Sequence, residues 1–182
     1  MKIHLHRASV LALAIALLSG QPLAGQRAAT PRGEERLIRE VRHELVMLPY
    51  YTVFDNLEYR VRGYEVTLSG QVTQPSLKSD AEHSVRRIEG VEKVVNNIEV
   101  LPPSPFDDRI RRAVFRALFS ENSPLFRYGW SVVPSMHIIV KGGRVTLAGV
   151  VDNGTDRNTA ILLANQVSGT FSVTNNLEVK KG

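Results

Sequence analysis

Hydrophobic positions along the chain change period several times, and each change marks an element. Ala8 to Leu18 is an unbroken apolar run behind a basic start that carries Lys2 and Arg7. Leu37, Val41, Leu45 and Leu48 then recur every three or four residues, the spacing of one buried helix face, and Pro49 closes that helix. Alternation takes over next: Val53–Arg62 and Tyr64–Val72 read as two strands around Gly63. Pro75 opens a second helix with Ala81, Val85 and Ile88 inward, Gly90 ends it, and Val94–Val100 is a third strand. The series then begins again. It predicts a helix over 107–119, strands over 136–141 and 144–151 joined at Gly142-Gly143, a helix over 154–168 and a strand over 171–179.

The second series is a copy of the first. Residues 65–100 align without a gap on 144–179, with 12 of 36 positions identical, among them Gly70/Gly149, Gly90/Gly169, Asn96/Asn175 and Asn97/Asn176. The first helices align too (37–45 on 110–118), but the second copy carries six more residues before its strongest strand. Each copy is α-β-β-α-β, which predicts an α+β fold of two tandem domains. A right-handed crossover makes the last two strands parallel within a mixed three-stranded sheet. Both helices cover one face of it, because so short a unit builds only one two-layer core.

The apolar run of 8–18 is too short to span a bilayer. With its basic start and the small residues that follow, it reads as a secretory signal peptide cleaved after Ala24; an uncleaved interfacial anchor is the alternative. The chain therefore divides into a signal peptide (1–24), a flexible segment (25–34), a first domain (35–101), a Pro-rich linker (102–106) and a second domain (107–182). Export places it in the periplasm of a cell with two membranes. The absence of cysteine excludes disulfides, thiol catalysis and Cys-based zinc sites. Charge is uneven: residues 25–104 hold 11 Lys/Arg and 12 Asp/Glu, whereas 105–182 hold 10 and 6. The basic second half suggests an anionic partner. In an exported protein that means acidic lipid headgroups, other envelope polyanions or an acidic protein surface rather than nucleic acid.

Two stretches in each copy resemble the BON domain, named for bacterial osmotically inducible and nodulation proteins. In the first copy they are Leu68-Ser69-Gly70-Gln71-Val72 and Gly90-Val91-Glu92-Lys93-Val94-Val95-Asn96-Asn97. In the second they are Leu147-Ala148-Gly149-Val150-Val151 and Gly169-Thr170-Phe171-Ser172-Val173-Thr174-Asn175-Asn176, where Thr170 departs from the family's usual Val. The resemblance implies an exported, non-catalytic envelope module associated with phospholipid surfaces, stress tolerance or partner binding, and it brings no catalytic residue.

The residues themselves offer no reactive centre either. There is no GxSxG elbow, SxxK motif, GxGxxG turn or P-loop. His43, His83 and His137 lack metal-pair spacing, so neither a metal nor another cofactor is expected. The repeated asparagines read as caps for nearby backbone, the repeated Gly70 and Gly149 as bends or close backbone approaches, and Asp107-Asp108 as a favourable charge at a helix N-terminus. One helix stands out. On a helical wheel Ile110, Ala113, Val114, Ala117 and Leu118 share the side expected to cover the sheet, with Phe115 and Phe119 nearly opposite among Arg111, Arg112 and Arg116. Arg127 beside Phe126, Tyr128 and Trp130 forms a second aromatic-basic cluster. These seven (Arg111, Arg112, Phe115, Arg116, Phe119, Arg127 and Trp130) are the candidate site. Three readings are open for them: an anionic phospholipid surface, an envelope protein partner, or burial beneath the 120–134 loop or the first domain.

Overall fold

The structure, a computed structural model, describes residues 31–129, 131 and 133–180. The expected signal peptide, the segment before residue 31 and Trp130 lie outside the described residues. Two α-β-β-α-β units follow one another. The first comprises α1 (Pro31–Val46), β1 (Asn56–Arg62), β2 (Glu65–Val72), α2 (Pro75–Arg86), β3 (Lys93–Asn96) and β4 (Glu99–Val100). The second comprises α3 (Pro105–Phe119), the single turn α4 (Phe126–Gly129), β5 (Met136–Lys141), β6 (Arg144–Val151), α5 (Gly154–Asn165) and β7 (Ser172–Val179).

In both sheets the hairpin is antiparallel and the strand after the helix returns parallel to the central one: β2 pairs with β3 and β4, and β6 with β7. Two closed cores result. One gathers Leu37, Val41 and Leu45 of α1 against Val66 and Leu68 of β2 and Leu77, Ala81 and Val85 of α2. The other gathers Ile110, Val114 and Leu118 of α3 against Ile138, Leu147, Ala160 and Leu177.

Several boundaries differ from the sequence expectation: α1 already begins at Pro31, inside the stretch read as flexible, α5 ends at Asn165 rather than 168, and three others follow. The third strand of the first unit is broken at Asn97–Ile98, where the Asn97 amide donates to the Leu68 carbonyl (2.9 Å) and the Ile98 amide to Asn96 Oδ1 (3.1 Å). The second asparagine pair leaves β7 continuous, with Leu177 N donating to Asn175 Oδ1 at 3.0 Å. Next, α3 starts at Pro105 rather than 107, because Ser104 caps it through the Asp107 amide (3.1 Å) and proline suits the first helical position. Finally, β1 starts at Asn56 rather than Val53.

The residues before Asn56 are used elsewhere. They form a loop that docks on the second domain, with the Ile138 amide donating to the Val53 carbonyl at 2.8 Å and with Val53 and Phe54 packed on the second core. That docking buries Met136 to Val140 on both faces of β5, where alternation alone predicts one open face.

Candidate binding surface

α3 positions most of the candidate residues, and its buried face is rotated from the one the wheel suggested. The buried residues are Asp107, Ile110, Arg111, Val114, Leu118 and Phe119. Arg111 and Phe119 therefore do not reach a partner. Arg111 is 6% exposed; one guanidinium nitrogen pairs with Asp108 and another donates to the Val140 carbonyl at 2.7 Å. It follows Leu118's side of the helix because seven positions make almost two full turns. Phe119 is 4% exposed because the chain beyond α3 folds back over it. Gly129 passes so close that a Cβ there would lie 2.6 Å from the Cβ of Phe119.

Arg127 is committed within the chain as well. It pairs with Asp152 and Asp156 and donates to the Pro124 carbonyl and the Tyr128 hydroxyl. Beneath it, the Tyr128 hydroxyl donates to Asp156 Oδ2 (2.7 Å) and accepts from the Asp152 amide (2.8 Å). Burial pushes that hydroxyl up to about 12, so it stays a donor. This second aromatic-basic cluster ties the 120–129 segment to the start of α5.

What remains open is narrower and differently composed. Arg112 and Arg116 are exposed, and their side chains make no ion pair or hydrogen bond among the described residues. Arg109, which the sequence reading passed over, lies on the same stripe three residues before Arg112; its guanidinium sits 5.8 Å from the Phe106 ring centroid. The three arginines flank two shallow hollows. One, about 370 Å³, is lined by Phe106, Arg109, Arg112, Arg116 and neighbours; the other, about 310 Å³, by Phe54, Arg112, Phe115 and Arg116.

Aromatic rings stand at both ends of the arginine row. At one end Phe115 is half-buried between Phe119 (centroids 5.2 Å) and Phe54 of the first domain (6.0 Å). At the other, Phe106 (43% exposed) and Phe171 (81%) both approach Gly143. Phe106 and Phe171 belong to elements 65 residues apart, so no local pattern announces the pair. The aspartate beside them stands in the first turn of α3, as the sequence reading had it, but does more than oppose the helix dipole. Asp107 turns to the β5–β6 hairpin and accepts from the Gly142 (2.9 Å) and Gly143 (2.8 Å) amides. Burial pushes its carboxyl up, yet those two amides and the nearby Arg111 prevail and hold it below the usual range.

The described residues contain no group of three or more His, Asp or Glu placed to hold a metal. They also contain no helix long and apolar enough to cross a membrane.

The BON domain family model matches the chain twice, over residues 34–102 and 107–181. The protein is a member of the BON family. It is a tandem BON protein, and BON is a family of binding modules, not a catalytic one. No curated protein matches it. Among solved structures it is similar to CdsD, a structural protein of the type III secretion system of Chlamydia trachomatis. The identity is 13% and the TM-score 0.33, over 81% of this chain and 93% of that one. The C-terminal domain of CdsD gives 12% and 0.32 over 80% of this chain and 98% of that one. Likeness at that level says nothing about what the BON protein binds.

Proposed function

We propose that this tandem BON protein is exported under the direction of residues 1–24. In this reading it acts without catalysis in the periplasm, as a peripheral binder of anionic phospholipid surfaces. One observation carries it: Arg109, Arg112 and Arg116 form an exposed row on α3, without carboxylate partners among the described residues, between two groups of accessible rings. Arginines there would meet headgroup phosphates while Phe106 and Phe171 at one end, and Phe54 and Phe115 at the other, enter the interface. Each cation near an anionic surface contributes about 1 kcal/mol, so three give weak attachment that salt screens.

Sedimentation with phosphatidylglycerol-containing and with neutral vesicles tests this. Arg112→Glu combined with Arg116→Glu should weaken retention by anionic vesicles at least about tenfold and leave the fold intact, since neither side chain is bonded to any described residue. Equal retention by both vesicle types would defeat the proposal. Saturable capture of one envelope protein without vesicle binding would favour the protein-partner reading of the same surface.

A further inference from the structure

β5 is an edge strand, and the first domain reaches that edge through the Ile138–Val53 hydrogen bond. One residue before Ile138, His137 is 7% exposed. The Tyr51 ring lies across it with centroids 5.6 Å apart, and the Tyr51 hydroxyl is 3.4 Å from Nε2. Nδ1 is buried and makes no hydrogen bond of good geometry among the described residues. Whichever nitrogen carries the proton, one ring nitrogen at this interface is therefore unsatisfied. A neutral ring tolerates that at modest cost; an imidazolium would add a buried charge, which the backbone of Asp55 and Thr52 offsets only in part.

The ionisable groups around His137 are few. Asp55 is fully buried, and its carboxylate already accepts from the amides and hydroxyls of Thr52 and Thr73. Tyr51, pushed up to about 12 by burial, stays neutral. Arg42 of α1 and Tyr59 of β1 line the same cleft, and the β6 residue opposite His137 is Ala148. Burial holds His137 below the 6.5 of a free imidazole, although the Asp55 carboxylate and the backbone of Asp55 and Thr52 pull the other way.

We propose that His137 is a proton-operated latch between the two domains: charging its ring releases the Tyr51–Asp55 loop from β5 and draws Phe54 away from Phe115. The docked form binds fewer protons than the open one, so docking is at full strength above pH 6.5 and weakens as pH falls through that value. One proton allows at most about a tenfold change per pH unit, levelling off below the depressed pKa of the docked ring. The latch rests on interdomain geometry alone. Its consequence, an acid-exposed Phe115 and stronger vesicle retention, rests on the lipid reading as well.

The test is amide hydrogen exchange at Ile138 in the full chain at about pH 7.5 and about pH 5.5, corrected for intrinsic exchange, beside His137→Phe and His137→Gln. The phenylalanine keeps a ring against Tyr51 and takes no proton; the glutamine serves if that variant does not fold. The wild type should open several-fold more often at the lower pH, and the variants equally at both. Unchanged protection in the wild type, or the same loss of protection in the variants, overturns the latch. Protection that falls while retention by phosphatidylglycerol vesicles stays level upholds the latch and counts against the lipid reading alone.

Discussion

Gly70 and Gly149 occupy equivalent positions in the two copies and do the same work. Both have positive φ (105° and 107°), and a Cβ would lie 2.0 Å from the Asn56 carbonyl oxygen in one and 2.2 Å from that of Ser135 in the other. Backbone cannot yield as a flexible side chain can, so Gly70→Ala or Gly149→Ala should each destabilise its domain by at least about 2 kcal/mol in urea denaturation. Gly154→Ala is the control. Nothing lies within 4 Å of its Cβ position, and it sits at a helix start, so its effect should stay within about 1 kcal/mol. Asp107 makes a comparable point about polar groups. Asp107→Ala leaves two hairpin amides without their acceptor and should cost about 2–3 kcal/mol. Because its pKa is held below 3.8, the Asp107 contribution is present above that value and is lost as pH falls through the depressed one. Acid unfolding of the wild type, but not of Asp107→Ala, should contain this component.

Within the second domain, α3 and the 120–129 segment act as one unit. The segment covers Phe119, and its Tyr128 reaches Asp156 near the start of α5, so a stretch that reads as a long insertion closes one end of the core. Phe119→Ala should cost about 3–5 kcal/mol, the usual range for emptying a buried aromatic site, read from the denaturation midpoint. Arg127→Ala should cost under about 1 kcal/mol despite its several partners, because its guanidinium is half exposed and water replaces them cheaply. On α5, Ala160 and Ala164 join the second core while Leu162 remains 65% exposed, so the apolar Ala160–Ala164 stretch is not fully covered by the described residues.

Across the molecule, the two domains meet through loop contacts more than through charge. Lys141 pairs with Glu99 between them, but both side chains are about half exposed, which limits the pair's contribution. The Val53–Ile138 hydrogen bond, the Tyr51–His137 contact and the tilted Phe54–Phe115 contact are the more protected links. Glu99→Lys should therefore leave Ile138 exchange nearly unchanged, whereas Phe54→Ala should speed it measurably.

Much of this architecture was written in local patterns. Hydrophobic period distinguishes helices from strands, proline and glycine punctuate them, and a 79-residue repeat announces two domains of one kind. Those signals are carried by residues close in sequence, so they survive without coordinates; β5 and β6 keep the boundaries that alternation and the Gly142-Gly143 turn predicted. The binding surface was only partly legible. Arg112, Phe115 and Arg116 follow from the helical wheel, yet the wheel's buried face was rotated from the observed one, which drew in Arg111 and missed Arg109. No wheel states that Gly129 covers Phe119, that Phe54 arrives from the other domain, or that Phe106 and Phe171 converge on Gly143. Those outcomes depend on contacts between segments distant in the chain, where burial is settled by what folds back over a residue rather than by its neighbours in order.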